Sequence, residues 1–593
     1  MAKDSIDEQM QDSLPEPELS ATPAVEAEMV PAVLSEDTPQ PDQEGDSKLP
    51  VAPTEEQSRP TERREIVKSA TLVSLGNFGS SLMGMVRQVA VNATGLAGPF
   101  SAALKPTQTF YDLLVNGSVS GALIPTFNEY ADPERRYELR RLVYTLVNAI
   151  VLITLAVSIV FYFIAPWLVG SFLVGDFDAA DKLVTLQYSR IIFFSLAALG
   201  PFSILLAGLY ALKEFGWPAF ATTSYHIGII LGAIVSAVLG TRFLGNLGLA
   251  FGVLVGAAGE LLLIFPGIRN QKLYYLFILD LKQPALRRIL RLYAPIALSF
   301  LVSMGTVFLD LYLQSRTPCV TSVMPSSDPG ACGAANVGAL ALATTLVQFP
   351  IGLVAAALQV AVLPTLSTYA RENNMERFKE TLLLGFRLGL LLMIPAMAGL
   401  IVLQTPITQV LFAHGHAKNP ALIALALQNY AYQLPFVALD QLLIAAFYAR
   451  RNTIVPVVVG FVSVLGYLAI ALPFYSTWGL GAMAFANTVQ NSVHGIILLV
   501  LLRMAIGSIH FRRMIPTVAK IVLASALLIG VAWGVQFLLG QISFFSHGFL
   551  GWLLTLILAG GLGVAVFGGC VLVLKVEEVN LLKGAVMKKL GRA

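Results

Sequence analysis

The chain has 593 residues, of which 56% are hydrophobic and only 13% charged, and its mean hydropathy is +0.72. Soluble domains are roughly a quarter charged, so this composition excludes a soluble globular protein and requires an integral membrane one. The formal net charge of +3 is uneven, because residues 1–60 hold 15 Asp/Glu against 3 Lys/Arg, leaving 21 of the 36 acids and 36 of the 39 bases to the rest.

Residues 1–62 are rich in Pro, Glu, Ser and Gln and show no periodic apolar face. Such a segment cannot bury enough surface to offset the entropy of ordering, so a disordered acidic cytoplasmic tail is expected. It also lacks a basic start followed by a short apolar core, so no cleavable signal peptide is expected. Crossing roughly 30 Å of hydrocarbon takes about 20 helical residues. Segments of that kind fall at 67–95, 99–129, 138–164, 183–212, 217–240, 246–268, 286–315, 334–368, 378–404, 421–448, 454–475, 480–503, 515–539 and 546–575. The expected fold class is an all-α polytopic membrane protein of about fourteen transmembrane helices.

Alternate connections carry the bases: Arg135, Arg136, Arg140 and Arg141; Arg269, Lys272, Arg287 and Arg288; Arg371, Arg377 and Lys379; Arg450 and Arg451; Arg512 and Arg513. The other connections hold few, such as Lys182, Arg242, Arg316 and Lys418. Basic loops stay on the cytoplasmic side, so both termini are expected there. Cys319 and Cys332 share the loop after helix seven, TPCVTSVMPSSDPGACGA, on the outer side where disulfides persist. They are expected to pair, with two unpaired loop cysteines as the alternative. Cys570, inside the last helix, reads as a small packing residue.

The chain echoes itself. ALIPTFNEYADPERRYELRR at 122–141 resembles AVLPTLSTYARENNMERFKE at 361–380, aligning Pro125 with Pro364 and Tyr130 with Tyr369 at an offset of 239. LLAGLYALKEFGWP, ending at Pro218, resembles LIAAFYARRNTIVP, ending at Pro456, at an offset of 238. An offset of six helices preserves orientation, so two lobes related by an axis along the membrane normal are expected, at 63–270 and 271–510, with two added helices and a short basic tail at 511–593. A substrate cavity would lie between the lobes.

Ionisable groups cost several kcal/mol at the bilayer centre, so those present face protein or a watery cavity. In the first lobe these are Arg87 and Asn92; Lys105, Gln108, Asp112 and Asn116 on helix two; Arg190; His226; and Glu260. In the second they are Asp310 and Gln314; Asn336, Thr344, Thr345, Gln348 and Gln359 on helix eight; Arg387; Asp440; and Asn487, Gln490, Asn491 and His494 on helix twelve. Spacings of three and four put the helix-two set on one face, and the helix-twelve set likewise. A cavity lining is the preferred reading for Arg87 and the helix-two stripe. Interhelical hydrogen bonding is preferred for His226, Glu260 and Arg387. Glycine pairs such as Gly228 with Gly232 and Gly252 with Gly256 read as sites of close helix approach. His414 and His416 sit in an outer loop without further convergent ligands, so no metal site is expected. No HExxH, P-loop or dinucleotide fingerprint occurs, and no enzyme activity is expected.

GMVRQVAV at 84–91, LLVNGSVSGALIPTFNEY at 113–130, LVQFPIGLVAAALQVAVLPTLS at 346–367 and FYARRNTIVP at 447–456 resemble signatures of the MviN/MurJ family of lipid II flippases, in the multidrug/oligosaccharidyl-lipid/polysaccharide exporter superfamily. Gln88 and Asn116 stand where that family usually has an acid, and Tyr111, Asp112, Thr344 and Thr345 where it places arginines. The resemblance implies alternating-access movement of an undecaprenyl-pyrophosphate-linked peptidoglycan precursor, from the inner to the outer leaflet of a bacterial cytoplasmic membrane, without a cofactor. Arg87 and Lys105 would attract the pyrophosphate, and Gln108, Asp112, Asn116 and Gln348 would line its path. Glu260, Asp310 and Asp440 are candidates for coupling to an ion or to the membrane potential. Implied partners are the bilayer and cell-wall synthesis proteins, with no nucleic acid. A flippase for another undecaprenyl-linked glycan, an ion-coupled small-molecule antiporter and a non-transporting scaffold are the alternatives.

Overall fold

The computed structural model describes residues 76, 79–113, 123–239, 247–320, 329–415, 419–576 and 578, with the side chains of 239, 292, 294–303, 329 and 353–361 excepted. The acidic tail, the basic C-terminal tail, Asn116, His416, Lys418, Arg242 and the Gln359 side chain lie outside that set. The described residues belong to one compact unit, Thr61–Ala593.

Among them the elements are helical: α1 (residues 79–93), α2 (Ala97–Asp112), α3 (Arg136–Ala165), α4 (Ala179–Ala211), α5 (Gly216–Leu239), α6 (Gly248–Asn270), α7 (Pro284–Gln314), α8 (Pro329–Arg371), α9 (Met375–Val402), α10 (the bent pair Pro420–Ala431 and Leu434–Ala449), α11 (Ile454–Phe474), α12 (Leu480–Ile506), α13 (Ile515–Gly540) and α14 (Gly548–Val573). Ten described helices are long and apolar enough to cross a membrane, and α10, bent by 46°, makes eleven. The other expected spans fall on α1, α2 and α7, which is consistent with the expected fourteen. Helices suit this setting because every backbone polar group is satisfied within the segment.

Local chemistry sets the ends. Asp178 accepts a hydrogen bond from the Asp181 backbone N–H to open α4, and Asn374 does the same with Arg377 for α9. Pro284 and Pro420 occupy first-turn positions, where a missing N–H costs nothing. The second sequence echo is also a structural one. At the end of α4 the Lys213 and Glu214 N–H groups donate to the Tyr210 and Leu209 carbonyls, and at the end of α10 Arg451 and Asn452 donate to Tyr448 and Phe447. Lys213 and Arg451 both take the left-handed conformation, at φ 58° and 59°.

Among the described residues, the three largest apolar clusters organise the helices. One lies at the basic-loop end of α3, α4 and α6 and includes Leu139, Phe202, Leu209 and Ile268. Another lies at the corresponding end of α8, α9, α10 and α12 and includes Leu366, Phe378, Phe447 and Leu502. The third, at the disulfide end, draws on both halves of the chain: Val91, Phe100 and Tyr188 pack in one cluster with Val347, Leu427 and Leu480. The helices are thus joined across the halves at the disulfide end and hold separate cores at the basic end.

Segment 271–293 bridges this division. Leu273, Ala285 and Ile289 belong to the first-half core, the Tyr293 hydroxyl donates to the Leu113 carbonyl at 2.9 Å, and Arg288 pairs with Glu129 at 2.7 Å. Further along α7, Leu313 enters the shared core. α13 and α14 pack on α9, where Leu390 and Ile394 meet Ile521, Ala524 and Val571. Large apolar side chains such as Phe163, Val238, Leu262, Val564 and Val573 remain exposed, as lipid-facing positions require.

Candidate functional site

Among the described residues, two cavities lined by polar side chains lie within the helices, one in each half. The first, of about 270 Å³, is lined from α1 by Ser80 and Arg87, from α2 by Thr107, Gln108, Tyr111 and Asp112, from α5 by Thr222, Tyr225 and His226, and from α6 by Glu260. Four of its buried polar atoms, Arg87 Nε, Thr107 Oγ1, His226 Nδ1 and Glu260 Oε2, have no hydrogen-bond partner among the described residues. A buried polar atom without a partner costs about 1–3 kcal/mol, more when charged. Four residues that line one hollow while each keeps a buried polar atom without a partner make it a candidate site for a polar ligand.

Close helix packing makes this arrangement possible. A Cβ placed on Gly228 would collide with the Gly256 backbone, and one on Gly232 with the Gly248 carbonyl. Small residues therefore draw α5 and α6 together and carry Tyr225, His226 and Glu260 to one wall.

The second cavity, of about 540 Å³, is lined by Asp310 of α7, Asp440 of α10, Ser463 and Tyr467 of α11, and Asn487, Gln490, Asn491 and His494 of α12. Here the charged groups are partnered. Asp310 accepts from the Tyr467 hydroxyl and from Gln314 Nε2, the latter at 2.8 Å. Asp440 Oδ1 lies 2.6 Å from His494 Nδ1, and His494 Nε2 lies 3.1 Å from the Pro456 carbonyl. Asn491 Nδ2 donates to Gln433 Oε1 at 2.6 Å.

The halves meet above the first cavity. Gln88 Nε2 donates to Thr345 Oγ1 at 3.0 Å, and Asn92 Nδ2 donates to the Phe412 carbonyl at 2.9 Å. A Cβ on Gly98 would collide with the Ala334 carbonyl, so α2 and α8 touch backbone to backbone there. Cys319 and Cys332 are joined by a disulfide with Cα atoms 5.1 Å apart, which ties the end of α7 to the start of α8.

Of the residues singled out in the sequence, Arg87, Gln108, Asp112 and Glu260 line the first cavity and Asp310 and Asp440 the second. All four polar residues of the helix-twelve stripe line the second. Lys105 is half-buried and Gln348 exposed, and neither is among the residues lining these two cavities. His226 and Glu260, read from the sequence as interhelical hydrogen-bonding groups, stand in the first cavity wall with unpartnered atoms. Arg387 does pair, with Glu578 at 3.2 Å and the Arg513 carbonyl at 2.8 Å. His414 meets the Phe549 ring edge-on. Thr107, Tyr225 and Tyr467 are not marked by the sequence, because one hydroxyl on an apolar helix gives no periodic signal.

Two helical halves, each enclosing a cavity lined by polar side chains and joined by a shared core at one end, define a multi-span membrane protein of transporter architecture. The family model described as "Lipid II flippase MurJ" matches residues 91–556, and the chain belongs to that family. It is 26% identical over 480 residues to a "Probable lipid II flippase MurJ" of Bdellovibrio bacteriovorus, covering 78% of this chain and 87% of that protein. It is also 26% identical over 544 residues to the protein of the same description from Vibrio cholerae, covering 88% and 98%. Among solved structures, "Lipid II flippase MurJ, inward closed conformation" superposes with a TM-score of 0.64 at 22% identity, over 84% of this chain and 98% of that one. An inward-facing multidrug resistance MATE family transporter of the MOP superfamily shares the fold with a TM-score of 0.54 at 14% identity, over 74% and 94%.

Proposed function

We propose that this protein is a lipid II flippase that carries the undecaprenyl-linked peptidoglycan precursor from the inner to the outer leaflet of a bacterial cytoplasmic membrane. The observation that carries the reading is the first cavity, lined by Arg87, Thr107, His226 and Glu260, each of which keeps a buried polar atom without a hydrogen-bond partner among the described residues. A pyrophosphate–sugar headgroup needs such a polar surround, while its isoprenoid tail can stay in hydrocarbon. The guanidinium fork suits a pyrophosphate, and Gln108 and Asp112 are placed to meet sugar or peptide.

The basic loops set the cytoplasmic face by charge, with both termini on it. The lobes 63–270 and 271–510 then rock about the joined outer end, and the separate basic-end cores are the parts that close over the headgroup. The reaction breaks no covalent bond, so the residues bind and release rather than catalyse. Cell-wall synthesis proteins would draw on the product at the outer leaflet.

The test is depletion of the chain in its own cell, with lipid II exposure read by an externally added lipid II-cleaving enzyme. Loss of external cleavage while total lipid II rises is the expected result. Unchanged exposure in a cell with no second flippase would sink the reading.

A further inference from the structure

We propose that residues 273–281, in the connection between the first half and the second, form an interfacial anchor seated among the phospholipids of the leaflet at the basic-loop end, inner in the proposed orientation.

The segment lies between the end of α6 at Asn270 and the start of α7 at Pro284, and residues 273–280 have no regular secondary structure. Side chains of α3 hold its backbone instead. The Tyr144 hydroxyl donates to the Leu273 carbonyl, Arg140 Nε to the Tyr274 carbonyl at 2.7 Å, and Asn148 Nδ2 to the Leu276 and Ile278 carbonyls at 3.1 and 2.8 Å. The chain then turns back. The Asp280 N–H donates to Thr145 Oγ1 at 3.4 Å, and the Asp280 carboxylate pairs with Arg141 at 2.7 Å. Its tip, at residues 276–278, therefore stands level with Asn148.

Helix α3 sets how deep that level is. No charged residue occurs between Arg141 and Asp176, so the apolar span of α3 begins just past Arg141. At 1.5 Å per residue, Asn148 lies about 10 Å further along the helix. The headgroup layer on each side of a bilayer is only about 5–8 Å thick, so the tip reaches the boundary between headgroups and acyl chains. An extended chain can rest there because phosphate, ester and water oxygens still accept from its N–H groups, as hydrocarbon could not.

The side chains fit the same place. Leu276 and Ile278 turn inward onto the first-half core, while Phe277, 88% exposed, alternates with them together with exposed Leu279 and Leu281. On α3 the segment covers the stripe through Tyr144 and Asn148, and Leu152 and Leu155, the next positions of that stripe, are exposed. The outward face of the segment thus continues the lipid-facing surface of α3. Tyr274 and Tyr275, also exposed, have the amphipathic rings that favour headgroup level. Exposed Lys272, Lys282 and Arg287 flank the segment, where ammonium and guanidinium groups meet lipid phosphates. The bonds to the segment come from α3, so the leaflet grips the first half.

The test uses the full chain with Cys570→Ser and the Cys319–Cys332 disulfide intact, carrying Phe277→Cys, Leu279→Cys or, as the aqueous reference, Lys282→Cys. Each is reconstituted in nanodiscs of phosphatidylethanolamine and phosphatidylglycerol, where both faces meet the buffer. With a small fluorophore on the cysteine, lipids bearing a nitroxide near the top of the acyl chain should quench at 277 and 279 several-fold more than at 282, and aqueous iodide should do the reverse. A fluorophore can itself be drawn towards lipid, so the unlabelled cysteines are also timed against a membrane-impermeant maleimide. Those at 277 and 279 should react several-fold more slowly than the one at 282.

Equal quenching and equal reaction rates at 277 and 282 overturn the proposal. Slow reaction without nitroxide quenching does so too, since the chain itself would then cover the face. Protection found in native membranes but lost in the discs also overturns it, by assigning the face to a partner protein. If Phe277→Cys does not fold, Leu279→Cys decides. None of these readouts involves lipid II, so they stand whether or not the flippase reading does.

Discussion

Arg87 is the residue on which the proposed cargo binding would turn. A hydrogen bond to a charged group contributes about 1.5–3 kcal/mol, and about 1.4 kcal/mol is a factor of ten. Arg87→Ala is therefore expected to weaken lipid II binding and slow flipping by about 10- to 100-fold, while the chain still inserts. Arg87→Lys should fall between, because an ammonium keeps the charge but loses the planar fork. Binding of lipid II to the purified variants measures both, and full activity of Arg87→Ala would reject the role. The sequence marks Arg87 well, since a guanidinium deep in an apolar helix demands a partner or a cavity. It marks Thr107 and Tyr225 poorly, because each is compatible with simple packing and only the fold brings them to the same hollow.

At the scale of elements, the matched ends of α4 and α10 give the internal repeat a physical basis. Lys213 and Arg451 adopt positive φ where glycine is the usual choice, and the same pair of backbone hydrogen bonds closes both helices. A β-branched residue fits that conformation worst, so Lys213→Val and Arg451→Val are each expected to cost about 1–2 kcal/mol. Thermal unfolding in detergent should show lower midpoints for both, whereas Lys213→Gly and Arg451→Gly should not fall. Equal midpoints for Val and Gly would show that these caps are unstrained. The echo itself was legible from Tyr210 and Tyr448 and the prolines that follow. Its meaning as a shared cap was not, because neither position carries the glycine that announces one.

For the whole molecule, the decisive feature is where the two halves touch. Gly98 meets the Ala334 carbonyl, with Gln88–Thr345 and Asn92–Phe412 bonded alongside. Gly98→Val forces those backbones apart and is expected to hold the disulfide end, outer in the proposed orientation, open. A cysteine introduced at Gln88 should then react with a membrane-impermeant maleimide added outside, and flipping should fall because the cycle cannot return. No gain in labelling would show that the seal closes by another route. The attachment of the start of α7 to the first-half core through Tyr293 and Arg288, while Asp310 lines the second cavity, gives one helix a hold on both lobes.

The sequence by itself determined that the chain spans a membrane with helices, which faces of α2 and α12 are polar, and that Cys319 and Cys332 lie near enough in one loop to pair. These follow from composition and from periods of three and four residues, which are local properties. Tertiary structure alone decided that His226 and Glu260 stand in a cavity wall, that Asp440 meets His494 across 54 positions, and that the halves share a core at the disulfide end and hold separate ones at the basic end. Those outcomes depend on how closely helices approach. That distance is set by glycine-to-backbone contacts and side-chain fit between segments far apart in the chain, which no single helix encodes.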